Sequence, residues 1–345
     1  MNEGSARSSP RAREPTADGT NPPETPIAAP EVVLRSLAEA VGVEVVGAEA
    51  TVRLLYTALI SGGHVLLEGA PGVAKTLLVR RFAGCLALGF KRVQFTPDML
   101  PSDIIGSVAL NPMDRVFEYR PGPIFTNIVL ADEINRAPPK VQSALLESMQ
   151  ENQVTLDGVA HPLPRPFMVI ATQNPIEHEG TYRLPEAELD RLLFRILIDY
   201  PTEVDEQSIL RRHLSAEEPA PIEPVADVRT LDDHRSRLEG VFVAEDVLGY
   251  VARLVRGTRE DPRILIGASP RAGVQLARAA RAEAMLSGRS YVLPDDVKRV
   301  AFWVLNHRVA LQPEVLTEGF AAGQGEERIL FDVIAGLLER IPAPR

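Results

Sequence analysis

The chain has 345 residues, 45% of them hydrophobic, enough for two packed domains. Its 37 basic and 47 acidic side chains leave a net charge of −10, which argues against a broad nucleic-acid footprint. Charges or glycines interrupt every apolar run short of the ~20 residues of a membrane span, no secretory signal is visible, and the single cysteine, Cys85, fits a reducing cytoplasm.

Residues 1–30 hold six prolines and no aromatic side chain, so they cannot bury enough surface to offset their ordering entropy and are expected as a disordered tail. From 31 to 203, short apolar runs alternate with helical patterns. The runs are Val65–Glu68, Val93–Thr96, Ile128–Asp132, Phe167–Thr172 and Ile196–Asp199. Near-continuous apolar strands separated by helices predict a five-stranded parallel sheet covered on both faces, an α/β fold. Two hairpins are expected beside it. Val108–Leu110 pairs with Val116–Tyr119, and Val154–Leu156 pairs with the segment after Asp157-Gly158, a dipeptide suited to a tight turn. Residues 204–240 turn polar and read as a linker. From 241 to 345 the periodicity is helical only, as in Val247, Tyr250, Val251, Leu254 and Val255, so this part is expected as an all-helical domain. Within it, Ser269-Pro270 reads as an N-cap and first-turn proline.

The residues that carry chemistry lie in the first domain. Gly69-Ala70-Pro71-Gly72-Val73-Ala74-Lys75-Thr76 stands directly after one expected strand and before a helix, where a phosphate-binding loop belongs. Backbone N–H groups and the helix start face the phosphates of ATP, Lys75 adds a point charge, and the Thr76 hydroxyl can reach Mg²⁺. The general pattern has glycine before the lysine; Ala74 fits if that position has negative φ, where a Cβ is no obstacle. A second apolar strand ends in Asp132 and Glu133, suited to a water-mediated hold on Mg²⁺ and to activation of the attacking water. A third ends in Gln173-Asn174, and Asn174 can orient that water.

Residues 45–200 resemble an AAA+ module, and the wording inside the motifs is similar to the MoxR family of bacterial AAA+ ATPases. The likeness rests on Gly-His-Val-Leu-Leu-Glu-Gly (63–69), Ala-Asp-Glu-Ile-Asn-Arg-Ala-Pro-Pro-Lys (131–140), Ala-Thr-Gln-Asn-Pro (171–175) and Leu-Pro-Glu-Ala-Glu-Leu-Asp-Arg (184–191). Gly-Ala-Ser-Pro-Arg (267–271) adds to it in the helical domain.

The resemblance implies a P-loop core with a helical lid, ATP hydrolysis with Mg²⁺, and a nucleotide held by 69–77, including Leu77. Val46-Gly47 would line the adenine pocket. Arg191 resembles an arginine finger reaching a neighbouring subunit's γ-phosphate, and Arg271 resembles the sensor 2 arginine; the plainer alternatives are a salt bridge from Arg191 to Asp190 or Glu188 and a solvated Arg271. The hairpins resemble inserts that face a ring pore or a partner. The implied assembly is a cytoplasmic ring, a hexamer, that remodels partner proteins, among them proteins with a von Willebrand factor A domain or a metal centre. A nucleic-acid motor, a magnesium-chelatase-like motor subunit and a nucleotide-gated scaffold are the alternatives.

Overall fold

A computed structural model of the protein describes residues 27–113, 115–156, 158–174, 182, 184–214 and 221–344. The expected tail therefore lies outside the described residues as far as position 26. Helices α1 (Pro30–Gly42) and α2 (Glu49–Ile60) come first. Strand β1 (Val65–Gly69) leads to α3 (Lys75–Cys85), and β2 (Phe90–Gln94) to the short α4 (Pro101–Ile105). A hairpin of β3 (Gly106–Asn111) and β4 (Val116–Pro121) precedes β5 (Ile128–Asp132) and α5 (Pro139–Glu151). A second hairpin, β6 (Gln153–Leu156) and β7 (Val159–Pro162), precedes β8 (Met168–Gln173), α6 (Glu186–Leu189) and β9 (Phe194–Ile198).

The remaining elements are α7 (Glu203–Leu214), α8 (Val228–Glu239), α9 (Glu245–Glu260), β10 (Ile264–Ile266), α10 (Pro270–Leu286), α11 (Pro294–Leu305), β11 (Ala310–Leu311), α12 (Pro313–Ala321) and α13 (Glu326–Arg340). Six of the helices begin on a proline, whose fixed φ suits the first turn and whose missing N–H costs nothing there.

Strands β2-β5-β8-β1-β9 form one parallel sheet in that order. The edge strand β2 begins and ends earlier than expected, because Phe90-Lys91-Arg92 pairs along Ile128-Val129-Leu130 although two of its three side chains are charged. The expected strand at Ile196–Asp199 likewise starts at Phe194. Alternate side chains of the central strands go to opposite faces. Val65, Leu67, Ile128, Leu130 and Ile170 join one apolar cluster, and Leu66, Val129, Ala131 and Val169 the other. The first cluster runs without a break from α1, α2 and α3 into the lid helices α9, α10, α11 and α13. A buried Glu283 on α10 strengthens that junction, accepting from Thr57 at 3.0 Å and pairing with Arg53 at 2.8 Å.

Two expectations about the second half are corrected. The segment read as a linker carries α7 and α8; the latter is polar overall, yet it buries Leu231, His234 and Leu238 on one side. The lid is not purely helical, since β10 and β11 pair as a small antiparallel ribbon.

His64, at the start of β1, ties the two layers of the core together. Its Nε2 donates to the Met149 carbonyl of α5 at 3.1 Å, and its Nδ1 accepts from Val169 N–H of β8 at 3.0 Å. Burial is the main reason its pKa is pushed down to about 4. The neutral ring is favoured in the folded state only, so its stabilising contribution is complete above the ordinary histidine value of 6.5 and is lost as pH falls toward 4. His234 and His307 are shifted the same way by burial. Denaturation followed between pH 7 and 4 should show stability dropping by a few kcal/mol, and His64→Gln should flatten part of that slope. A flat profile across that interval would contradict this account.

Candidate active site

Five parallel strands carry their following loops at one end of the sheet, and this end gathers the expected chemistry. The loop after β1, the acidic pair after β5 and Asn174 after β8 together line a cavity of ≈ 470 Å³, whose wall comprises Pro71 to Leu77, Asp132, Glu133, Thr172, Gln173 and Asn174. Gly69 is pressed against the chain, where a Cβ would stand 2.4 Å from the Ile198 carbonyl. Gly72 has φ +84° and opens onto free space, which keeps the loop's approach clear.

Ala74 does not have the negative φ expected of it. Its φ of 58° and ψ of 23° are left-handed, and it caps the start of α3 from that conformation. The geometry is the one glycine would adopt freely, so a Cβ here costs roughly 1–2 kcal/mol. The surrounding strand and helix hold it in place nonetheless.

Lys75 Nζ donates to the carbonyls of Gly69 at 2.6 Å and Ala70 at 3.1 Å, which folds its ammonium across the loop. Burial lowers its pKa, opposed by the nearby carboxylates of Asp132, Glu133 and Glu68. Asp132 is buried at the tip of β5, and Thr172 Oγ1 donates to its Oδ1 at 2.5 Å. Arg92 of β2 donates to Oδ2 through Nε at 2.8 Å. Glu133 also sits in the left-handed region, with φ 58°. Its N–H donates to Thr172 Oγ1 at 2.9 Å, and its carboxylate is held by Gln94 at 2.7 Å and Arg136 at 3.0 Å. Strain of this kind persists only where neighbours over-determine it, and it collects at functional sites.

The residues present fit Mg²⁺. Oδ1 of Asp132 keeps a lone pair beyond its Thr172 bond, and Thr76 stands half-buried at the start of α3. A separate set of three His, Cys, Asp or Glu side chains able to hold a metal is absent among the described residues.

The other predicted arginines lie elsewhere. In β9, Phe194 pairs with Val65 and Ile198 with Gly69, so the residues just before Phe194 are at the sheet's amino end. Five residues of strand, at ~3.3 Å each, separate that end from the loop. Arg191 is three positions before Phe194, and Arg271 on the lid stands 3.8 Å from Asp190. Neither lines the cavity. Arg191 makes no hydrogen bond or ion pair through its guanidinium among the described residues; its neighbour Asp190 is taken by Arg308 and Ser269, and Glu188 accepts from Ser143. Val46 and Gly47 follow α1 and do not line the cavity; Gly47 is faced from α7 by Asp205, whose Oδ2 lies 3.5 Å from where a Gly47 Cβ would be.

Comparison with known proteins shows the family of the chain. The family model described as "ATPase family associated with various cellular activities (AAA)" matches residues 64–194, and an "AAA lid domain" matches 256–329. The chain is 42% identical to the Mycobacterium tuberculosis protein "Chaperone MoxR1" over 308 residues, covering 86% of this chain and 81% of that one. It is 45% identical over 295 residues to YeaC of Bacillus subtilis, an uncharacterized protein, covering 85% and 89% respectively. A crystal structure from Cytophaga hutchinsonii superposes with a TM-score of 0.82 at 39% identity, covering 92% of this chain and 96% of that one. The chain belongs to the MoxR family of AAA+ ATPases.

It is an ATPase, then, with the P-loop core and helical lid of that family. Four groups in this MoxR-family site were absent from the sequence reading: Arg92, Gln94, Arg136 and Thr172, which hold the two carboxylates. The one available signal was the polar alternation of Arg92 and Gln94, two residues apart on what the sheet makes its edge strand. The strain at Ala74 gives a direct test. Ala74→Gly should raise folding stability by about 0.5–1 kcal/mol, the left-handed penalty less the glycine's own entropy cost. A denaturant midpoint that falls instead would show that the Cβ makes contacts worth more than the strain.

Proposed function

We propose that the protein works as a ring of identical subunits, a hexamer, in which each bound ATP is completed by arginines of the next subunit and hydrolysis remodels partner proteins. The observation carrying this reading is the division of the site between the two ends of one sheet. The loop and the carboxylates are at the carboxyl end, Arg191 and Arg271 at the amino end, so a second copy must bring them together.

In this reading the N–H groups of the loop and Lys75 hold the β- and γ-phosphates. Thr76 and Asp132 hold Mg²⁺, which when bound neutralises phosphate charge. Glu133 accepts a proton from the attacking water, oriented by Asn174, while Arg191 and Arg271 from the neighbour stabilise charge on the transferring phosphoryl. Val46, Gly47 and Leu77 border the base and sugar.

Protein clients are favoured over nucleic acid by the surface of the first hairpin. Leu110, Met113, Val116 and Phe117 are all exposed there, with Met113 at 89% and Phe117 at 71%. An apolar tip suits a protein partner, whereas a nucleic-acid groove needs basic side chains along its course. The name of the mycobacterial relative, a chaperone, supports the same use, and the family resemblance points to clients with a von Willebrand factor A domain or a metal centre.

Lys75→Ala should abolish nucleotide binding, and Glu133→Gln should bind ATP without hydrolysing it; equilibrium binding of a fluorescent ATP analogue beside phosphate release reads both. Unchanged turnover in the glutamine variant would remove Glu133 as the base.

Arg191→Ala should keep its fold and ATP affinity and lose about 10³-fold in turnover. Adding Lys75→Ala subunits, which carry Arg191 but hold no ATP, should restore hydrolysis at mixed interfaces. A mixture as inactive as its parents, in rings shown to be mixed, would refute the shared site.

A further inference from the structure

Ser269 was expected to cap α10, and it does not. Its hydroxyl donates instead to Asp190 at 3.0 and 3.1 Å, across from the lid to the residue directly before Arg191. That contact is one of several. Arg308, just past the end of α11, has a side chain only 1% exposed and directs most of its guanidinium donors at the same segment, with Nη1 also donating to the Val304 carbonyl of α11. Its Nε donates to Asp190 Oδ1 at 2.9 Å and its Nη2 to the Asp190 carbonyl at 3.1 Å. Further donations go to the carbonyls of Leu192 and, at 3.4 Å, Leu193, and to the side chain of Gln275. Gln275 on α10 in turn donates to the Arg191 carbonyl at 3.5 Å. His307 Nε2 also donates to the Leu192 carbonyl at 3.1 Å, so four consecutive carbonyls, 190 to 193, accept from three lid side chains.

The next polar contacts run toward the nucleotide loop. Arg195 pairs with Glu68, the residue before Gly69, and lies 3.7 Å from Glu327 at the start of α13.

We infer that Arg308 is a positioning residue through which each subunit's lid sets the placement of its own Arg191 in the neighbouring subunit's active site. A planar fork with five donors can hold a carboxylate and several carbonyls at once; an ammonium on a flexible stem cannot. A buried arginine with one carboxylate and otherwise only neutral acceptors is costly to keep for stability alone, since an apolar residue could fill the space. Gripping Arg191 by its backbone rather than its side chain fixes where the chain lies while leaving its guanidinium without a partner among the described residues. Any rotation of the lid must then carry residues 190–193 with it, because this packed junction has no slack to absorb the movement.

The inference rests on Arg191 acting in trans, and the test separates the two. In full-length protein, Arg308→Lys should keep ATP affinity within about twofold and lower kcat by up to about 10²-fold, the scale on which small misplacements of a reacting group act. In the Arg191→Ala background the same change should cause no further loss, because its effect is routed through the missing guanidinium. Adding Lys75→Ala subunits, which supply an intact clamp and finger, should rescue Arg308→Lys.

Losses that multiply, an unchanged kcat, or a defect that mixing fails to rescue would overturn the proposal. Should Arg308→Lys fail to fold, Gln275→Ala and Asp190→Asn, each removing part of the clamp, carry the same comparisons. Arg191→Ala with full turnover would instead mark failure of the trans reading itself.

Discussion

Everything in the site depends on the polarity of the parallel sheet. Because β1, β5 and β8 all run the same way, the turns that follow them converge at one end, where the phosphate loop, the carboxylate pair and Asn174 share a cavity. The same polarity puts the residues that lead into β9 at the opposite end. A chain of this topology cannot fold its own Arg191 onto its own loop without dismantling the β1–β9 pairing. The proposed sharing of the site between subunits thus rests on strand direction before it rests on subunit contacts.

The lid belongs to that arrangement through packing rather than through a loose hinge. One apolar cluster passes from the α1–α3 face of the sheet into α9, α10, α11 and α13. The ion pairs at the junction, Arg53–Glu283 and Arg308–Asp190, each with one buried partner, sit at two separate points, one on α10 and one just past the end of α11. A junction pinned at two points transmits rotation, whereas one pinned at a single point would swivel. Burial draws the Arg308 pKa down to about 10, opposed by its bond to Asp190, so the side chain is still a cation at neutral pH.

How much of this was legible follows from whether the contacts are local in sequence. The loop 69–76, the Asp132–Glu133 pair and the strand leading to Asn174 are contiguous strings, and their chemistry could be read residue by residue. Both hairpins were legible too, since their turn residues and flanking alternation are adjacent. What escaped notice is non-local. Arg92 and Gln94 reach Asp132 and Glu133 across 40 and 39 positions, and nothing in β2 announces which strand it will pair with. Arg308 reaches Asp190 across 118 positions. Ser269 was read as a cap because its local setting is that of one, and a tertiary acceptor outcompeted its own backbone. The helix α8 was missed because three buried side chains in twelve are too thin a stripe to outweigh its charges. At Ala74 the residue was visible and its torsion was not; a sequence carries no sign of φ.

The two strained residues that line the site, Ala74 and Glu133, share a logic. Both lie after a strand of the same sheet, Glu133 directly past β5 and Ala74 at the start of α3, and each redirects the chain from the left-handed region without being glycine. For Glu133 the turn is enforced by Thr172, whose single hydroxyl accepts the Glu133 N–H and donates to Asp132. One oxygen on β8 thus fixes both the direction in which Asp132 faces and the backbone from which Glu133 departs. Adjacent carboxylates on a regular strand would point to opposite faces of the sheet. Breaking the strand at Glu133 is what lets both line one cavity, and Gln94 and Arg136 then restrain the Glu133 side chain that the turn has freed. The strain is therefore tied to the placement of two neighbouring acids, one suited to a metal and one to a water, and a relaxed backbone here would separate them.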